Sequence, residues 1–127
     1  MDLRVGIDHV EIKRIAKAMR NPKFLPRFFG EREIALLERR GLPAASVAAG
    51  FCAKEAFSKA LGTGLRGFYL REVELLREEN GRPFLSFCGR ALDLVKKSGM
   101  RFEVSVSHNR YCAMAQVVAY GNEKKEG

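Results

Sequence analysis

Hydrophobic and polar residues alternate at the start of the chain and then recur at a helical spacing. Leu3, Val5 and Ile7 alternate with residues that are small or charged, which predicts a short strand that is half buried on one face. Asp8 follows at the expected end of this strand. From about 10 to 20, apolar residues recur every three or four positions and basic residues fall on the opposite side. The pattern predicts an amphipathic helix with a cationic outer face.

Two further helices are predicted before the middle of the chain. Pro22 and Pro26 interrupt the first helical pattern, and a second helix is expected over 31–40. A longer helix over Ala44–Leu61 is apolar almost all round and ends at Gly62, a typical C-terminal cap. Since a helix of this kind must be buried on most sides, we expect it at the centre of the fold.

The residue pattern in the second half of the chain predicts mainly strands. Asn80-Gly81 is a strong signal for a tight turn between two strands. The predicted elements are a hairpin of a strand near 73–75 with a partner over 83–87, a helix over Gly89–Ser98, and two strands over 102–107 and 111–120 that pair across the residues between them. The expected fold is α+β, with a mainly antiparallel sheet packed on the long central helix. We expect a single domain over 1–120 and a charged, disordered tail over 121–127.

Composition narrows the class of protein. A chain of 127 residues suits one domain, and no apolar run approaches the ~20 residues that cross a bilayer. The first residues lack the apolar core of a secretory signal, so we expect a soluble, cytoplasmic protein without a membrane partner. Cys52, Cys88 and Cys112 are widely spaced and form no zinc-type cluster, and all three are expected to be buried thiols.

The net charge of +8 favours an acidic partner, although positive charge can also serve solubility alone. The net charge alone does not distinguish among four kinds of partner: nucleic acid, an anionic membrane, a phosphorylated ligand and an acidic protein. The strongest local bias is between Ile12 and Gly30, which contains six Lys or Arg residues and no acid.

Polar side chains interrupt the central helix at four positions, Lys54, Glu55, Ser58 and Lys59. One interpretation is an exposed ion pair between Glu55 and Lys59, four residues apart. The other is that Glu55, Ser58, Lys59 and Gly62 share one helix face and present a carboxylate and an ammonium group to a metal-bound phosphate, since magnesium prefers oxygen ligands.

Asp8 is equally ambiguous, because an aspartate between a strand and a helix is often only a helix cap. A hydrolase built from Ser107, His108 and Asp8 is disfavoured, since no glycine-flanked nucleophile motif occurs. His9 and His108 have no cysteines placed to complete a zinc site. Gly62-Thr63-Gly64 follows a helix instead of opening one, so alone it is a weak phosphate-binding signal.

Three segments together resemble the holo-acyl-carrier-protein synthase family of phosphopantetheinyl transferases. They are Gly6-Ile7-Asp8-His9-Val10-Glu11-Ile12 with Arg14, the segment Phe51-Cys52-Ala53-Lys54-Glu55-Ala56-Phe57-Ser58-Lys59-Ala60-Leu61-Gly62-Thr63-Gly64, and Val104-Ser105-Val106-Ser107-His108 with Ala113 and Ala115. The middle segment is the most specific, and the similarity extends from Leu3 to Ala119.

The resemblance implies the 4'-phosphopantetheinyl transferase fold and transfer of 4'-phosphopantetheine from coenzyme A to a serine of an acidic apo acyl carrier protein, in support of fatty-acid biosynthesis. It implies Mg²⁺ held by Asp8 and Glu55, with Lys59 neutralising the departing adenosine 3',5'-bisphosphate. Asp8 or Glu55 would accept the serine proton through a water. A homotrimer with active sites between subunits is also implied.

The resemblance further assigns binding residues. Those expected to contact coenzyme A are Lys54, Ser58, Gly62, Thr63, Gly64, Ser107 and His108. The cationic face expected to receive the carrier protein includes Arg14, Lys17, Arg20 and Arg27.

The sequence departs from the usual family pattern at three positions. Arg4 stands where glycine is frequent, His9 where an aliphatic residue is common, and Gly50 where arginine is frequent. If that arginine holds phosphate, then Lys54, Arg66 or a residue of a neighbouring subunit must replace it here.

Two alternatives remain at this point. One is an RNA- or DNA-binding domain that uses the basic stretch and the aromatics Phe24, Phe28 and Phe29, although these are read more simply as core and no nucleic-acid motif is present. The other is a trimer that binds coenzyme A or carrier protein without turnover, which the intact Asp8 and Glu55 disfavour. The choice between fatty-acid and polyketide carriers is open.

Overall fold

The structure is a computed structural model and describes residues 2–121. Within these residues one strand is followed by four helices, and the second half contains mainly strands. The elements are β1 (Leu3–Glu11), α1 (Ile12–Ala18), α2 (Phe24–Phe28), α3 (Glu31–Arg39), α4 (Ala44–Leu61), a 3₁₀ turn (Leu70–Glu72), β2 (Val73–Arg77), β3 (Pro83–Phe87), α5 (Gly89–Ser98), β4 (Met100–His108) and β5 (Cys112–Gly121).

Two antiparallel sheets are formed. β2 pairs with β3 as the predicted hairpin, and the larger sheet has the order β1-β5-β4. The predicted pairing of the last two strands is confirmed, with His108 opposite Ala113. The sequence pattern did not indicate that β1, the first strand, lies beside β5, the last, with Asp8 opposite Ala115. This long-range pairing makes β1 an edge of the sheet.

The first strand is longer than predicted, and its apolar alternation faces outward. The prediction that Asp8 ends the strand is wrong, because pairing with β5 continues to Glu11. Gly6 and Val10 are buried on the side of the helices, whereas Leu3, Val5 and Ile7 are 66%, 52% and 53% exposed. Gly6 and Val10 therefore face α4, and the apolar residues at positions 3, 5 and 7 face outward.

Helix α4 lies at the centre of the fold, with the predicted bounds. Its residues Ala48, Cys52, Ala56 and Ala60 are fully buried, and such small side chains allow close packing against β1 and β5. Gly62 ends the helix in the left-handed conformation with φ 92°, as a C-terminal glycine is expected to do.

Three details differ from the sequence expectations. A short helix, α2, contains Pro26 in its first turn, where a missing N–H breaks no intrahelical bond. Of the three cysteines expected to be buried, only Cys52 is, since Cys88 is exposed and Cys112 is half-buried. Gly121, expected in the tail, ends β5. The rest of the tail, 122–127, lies outside the described residues. Among residues 2–121, no helix is long and apolar enough to cross a membrane.

Candidate active site

Asp8 and Glu55 come together where β1 crosses α4. Asp8 shares a strand face with Gly6, which lies against the α4 backbone so closely that a Cβ added there would be 2.0 Å from the Ala56 carbonyl oxygen. The pKa of Glu55 is raised, first by burial and then by the negative charge of Asp8, while Lys59 lowers it. The pair is therefore close enough for the two carboxylates to repel each other.

Lys59 of α4 contacts β1, the strand that carries Asp8. Its Nζ donates to the Ile7 carbonyl oxygen at 2.9 Å and lies 3.3 Å from Asp8 Oδ1. Among residues 2–121 the structure shows no ion pair between Glu55 and Lys59, the simpler interpretation of the helix pattern. Asp8 is also not the cap of α1, since Glu11 takes that position and makes no side-chain cap bond. Lys59 thus supplies a cation beside the carboxylate pair.

Cys52, which the sequence predicted only as a buried thiol, lies beneath this pair. Its Sγ donates to the Ala113 carbonyl oxygen at 3.6 Å. Burial is the main cause that raises the pKa of the Cys52 thiol to about 12, and the nearby carboxylates of Asp8 and Glu55 contribute in the same direction. The thiol is consequently neutral, and its spacing of three residues before Glu55 on α4 is the only sequence signal that could have placed it here.

Lys54 does not lie at the site, which corrects its expected contact with coenzyme A. Its side chain is fully buried, and its Nζ donates to Glu33 Oε1 at 2.6 Å and to the Val73 carbonyl oxygen. The same ammonium group lies 4.8 Å from the centre of the Phe29 ring. Because α4 is apolar on nearly all sides, periodicity alone did not reveal which of its charged residues points inward.

Gly50 lies on that same inward side of α4. A Cβ at Gly50 would be 3.0 Å from the Phe29 ring and 3.3 Å from Glu33 Oε2. Lys54 is committed to Glu33 and cannot replace an arginine there, whereas Arg66 is exposed. Gly50 is therefore packed against the Phe29 ring and the buried carboxylate of Glu33.

The remaining expected coenzyme A contacts divide into two groups. Ser58 is buried and its hydroxyl donates to the Glu55 carbonyl oxygen at 2.6 Å, so it is occupied within the helix. Residues 62–64 follow at the end of α4, beside Arg4, whose Nη1 is 3.4 Å from the Leu61 carbonyl oxygen.

The second group is at the other end of the sheet. Ser107 and His108 line a small cavity that also contains Asn109 and Cys112. His108 is level with Val10 across β5, which is six residues along β1 from Arg4, or about 20 Å at ~3.3 Å per residue. One chain therefore does not bring 62–64 and 107–108 together.

The cationic stretch forms a separate groove between α1 and α2. Its charged and aromatic lining consists of Arg14, Lys17, Lys23, Phe24, Arg27 and Phe28. Arg20 is exposed at the end of α1 but does not line the groove. Phe24 and Phe28 are half-buried and pack against each other with ring centres 5.3 Å apart, so they form a wall and not an open stacking platform.

The residues at the crossing suit a divalent cation with oxygen ligands. Burial and then the negative charge of Asp8 raise the pKa of Glu55, and a cation between the two carboxylates would relieve their repulsion. Within residues 2–121 no cluster of three or more His, Cys, Asp or Glu side chains is placed to hold a metal. Two carboxylates, completed by substrate phosphates and waters, are a common magnesium arrangement.

The fold and the site define a class. It is an antiparallel α+β domain that places two carboxylates and a lysine where a strand crosses its central helix. The chain belongs to the 4'-phosphopantetheinyl transferase superfamily, whose family model matches residues 4–114.

Individual relatives agree with this membership. The chain is 42% identical over 123 residues to a holo-[acyl-carrier-protein] synthase of Treponema denticola, covering 95% of this chain and 100% of that one. A solved holo-[acyl-carrier-protein] synthase from Neisseria meningitidis matches with a TM-score of 0.86 and 30% identity, over 92% of this chain and 97% of that one. The Bacillus anthracis synthase, solved in complex with CoA (3',5'-ADP), matches with a TM-score of 0.76 and 32% identity, over 94% and 96%. The expected α+β fold is confirmed.

Proposed function

We propose that this protein transfers the 4'-phosphopantetheine group of coenzyme A to a serine of apo acyl carrier protein. The products are holo acyl carrier protein and adenosine 3',5'-bisphosphate, and the reaction supports fatty-acid biosynthesis. The observation that carries the proposal is the meeting of Asp8, Glu55 and Lys59 at one crossing of β1 and α4. The names of the relatives and the complex of the Bacillus anthracis synthase with CoA (3',5'-ADP) support it.

Asp8 and Glu55 are proposed to hold Mg²⁺ together with the pyrophosphate of coenzyme A. A magnesium ion there would draw electron density from the phosphorus that the serine attacks. Lys59 reaches the same position from α4 and offsets negative charge on the departing bisphosphate. Asp8 or Glu55 takes up the serine proton through a water. Cys52 keeps its proton and holds the Ala113 backbone in place below the pair.

Coenzyme A is proposed to bind between subunits of a homotrimer. Residues 62–64 and the pair Ser107 and His108 lie at opposite ends of the sheet in one chain, and neighbouring subunits of a trimer would bring the two groups to one ligand. An open apolar face that includes Val5, Ile7 and Met114 offers the surface for assembly.

The groove between α1 and α2 is proposed to receive the carrier protein. Arg14, Lys17 and Arg27 give it a positive rim, and Arg20 extends the charge at the end of α1. Acyl carrier proteins are acidic, so complementary charge would speed their encounter with this face. The cytoplasmic location expected from the sequence stays a prediction.

The deciding experiment is intact-protein mass spectrometry of apo acyl carrier protein incubated with this protein, coenzyme A and Mg²⁺. We expect the carrier to gain one phosphopantetheine, and we expect chelator or Glu55→Gln to abolish the gain. Lys59→Ala is expected to lower turnover by about 10²-fold or more, the scale of losing one charge-stabilising group.

One control variant and two contrary outcomes separate the alternatives. Glu38→Gln, on the exposed side of α3, should leave the gain intact. If several apo carriers remain unmodified while coenzyme A still binds, the protein is a binding module. Full turnover by Lys59→Ala would remove that residue from the proposed chemistry.

A further inference from the structure

Helix α2 carries the aromatic wall of the groove between α1 and α2, yet it has no buried residue of its own. All of its residues, Phe24–Phe28, are at least partly exposed. A helix this short is unstable unless it packs against other elements. The position of α2 must therefore be fixed by its neighbours, and the residue that directly follows it, Phe29, is only 1% exposed.

The Phe29 ring lies in a pocket that is open because residue 50 is a glycine. A Cβ added to Gly50 would be 3.0 Å from the ring atom Cε2 and 3.3 Å from Glu33 Oε2, closer than side chains normally pack. The ammonium group of Lys54 lies 4.8 Å from the centre of the ring, within the range of a cation–π attraction. Since Lys54 is itself held by Glu33 and by the Val73 carbonyl oxygen, it gives the ring a fixed contact. We call this place, formed by Gly50 and Lys54, the Phe29 pocket.

Aromatic rings connect the Phe29 pocket to the wall of the groove. The ring centre of Phe29 is 6.0 Å from that of Phe24, and Phe24 is 5.3 Å from Phe28. Phe24 and Phe28 line the groove, whereas Phe29 does not. Phe51 of α4 supports the same two rings, at 6.2 and 5.9 Å. The backbone N–H of Phe29 also donates to the Leu25 carbonyl oxygen at 2.8 Å, so the position of Phe29 is tied to that of α2.

We propose that Phe29 is a positioning residue, which fixes α2 by packing in the pocket beside Gly50 and Lys54 and so sets the shape of the groove for the carrier protein. Gly50, one of the positions where the sequence departs from the family pattern, provides the space that the ring needs. The assignment rests on the proposed binding of apo acyl carrier protein in this groove. Changes in the Phe29 pocket should therefore alter the affinity for carrier protein and leave the affinity for coenzyme A unaltered.

Calorimetric titration tests this difference, with apo acyl carrier protein and coenzyme A each added alone so that no transfer occurs. Phe29→Leu removes the ring but keeps an apolar side chain. We expect it to raise the Kd for carrier protein about tenfold, the effect of ~1.4 kcal/mol, and to leave the Kd for coenzyme A within twofold. Gly50→Ala should act in the same direction, because the added methyl group overlaps the ring. The double variant should bind carrier protein better than the product of the two single losses predicts, since leucine leaves room for that methyl group.

Phe102→Leu is the matched control. It makes the same change in a different aromatic cluster, in which Phe102 lies 5.0 Å from Phe57 and 5.9 Å from Phe87 between ring centres. Its melting temperature should fall, because aromatic packing is lost, while its Kd for carrier protein should stay unchanged.

Hydrogen exchange separates this assignment from the proposed function, because it requires no carrier protein. Exchange of the backbone amides of residues 24–29, followed by mass spectrometry, should be faster in Phe29→Leu and Gly50→Ala than in the unmodified protein and unchanged in Phe102→Leu. Unchanged exchange in Phe29→Leu, or faster exchange with an unaltered Kd for carrier protein, would overturn the assignment. If the unmodified protein binds no carrier protein, the proposed use of the groove is contradicted and the role of Phe29 in carrier binding with it, while the exchange rates still decide whether Phe29 fixes α2.

Discussion

At Gly6 the strand β1 approaches α4 so closely that no side chain fits between them. An added Cβ would lie 2.0 Å from the Ala56 carbonyl oxygen and 2.7 Å from the Ala60 backbone nitrogen. Because these atoms belong to a helix backbone, they cannot turn away as a flexible side chain would. The missing side chain is what allows Asp8, two residues further on, to reach Glu55.

We therefore expect Gly6→Ala to lower the free energy of unfolding by about 1–3 kcal/mol or more, the usual cost of overpacking. Transfer activity should fall further than stability does, since any outward shift of β1 separates Asp8 from Glu55. Urea unfolding and the rate of carrier modification measure the two effects.

Gly41→Ala is the matched control, because Gly41 has positive φ but nothing within 4 Å of an added Cβ. It should cost about 1 kcal/mol of backbone strain and leave turnover unchanged. Unaltered stability and activity in Gly6→Ala would show that the strand and the helix are not in close contact.

At the scale of secondary-structure elements, the buried carboxylate of Glu33 connects α3 with α4 and β2. Glu33 of α3 accepts hydrogen bonds from Lys54 of α4, from the Leu75 N–H of β2 at 3.0 Å and from the Gly30 N–H at 3.2 Å. Burial raises the pKa of Glu33, and Lys54 opposes that effect. Burial likewise lowers the pKa of Lys54, and Glu33 opposes it. Each charge is stable in the core only because the other is present.

Lys54→Met should therefore destabilise the protein by about 3–5 kcal/mol, because it leaves the Glu33 carboxylate buried and unpaired. The loss should depend on pH. Without Lys54 the folded-state pKa of Glu33 lies further above its unfolded value, so the folded state binds more protons and stability falls as pH rises through that window. The deficit should accordingly be smaller at pH 5 than at pH 8.

The double variant with Lys54→Met and Glu33→Gln should recover much of the loss and remove the pH dependence that comes from Glu33, since the neutral amide carries no buried charge and its one oxygen still accepts from a backbone N–H. Urea unfolding across pH measures both. A deficit that is equal at all pH values would show that Glu33 is not the group left unpaired.

The same elements show what the sequence could and could not predict. The bounds of α4 were predictable because Pro43 precedes it and Gly62 ends it, and the last hairpin was predictable from local alternation. The direction of Lys54 was not, because a helix that is apolar on most sides has no single inner face. The pairing of β1 with β5 joins residues more than a hundred positions apart, and no local period encodes it. Asp8 and Glu55 were identified by family motif, while the position of Cys52 beneath them became apparent only through its contacts.

At the scale of the molecule, the sheet leaves one apolar face without a partner in a single chain. Leu3, Val5, Ile7 and Met114 are all more than two-fifths exposed, which is unusual for neighbouring apolar residues of one sheet. The division of the coenzyme A contacts between the two ends of this sheet fits the same assembly. Assembly of the proposed trimer would then both bury this apolar face and complete the coenzyme A site.

Val5→Asp is expected to convert the proposed trimer to a 14.3 kDa monomer, since it places a charge in the centre of that apolar face. The monomer should remain folded, because Val5 lies outside the core, yet it should lose nearly all transfer activity with the second subunit's contacts to coenzyme A. Sedimentation velocity, circular dichroism and carrier modification measure mass, fold and turnover. Ala35→Asp, on the exposed side of α3, should remain trimeric and active. A monomeric Val5→Asp protein with full turnover would place the whole active site within one chain and would contradict the proposed site between subunits.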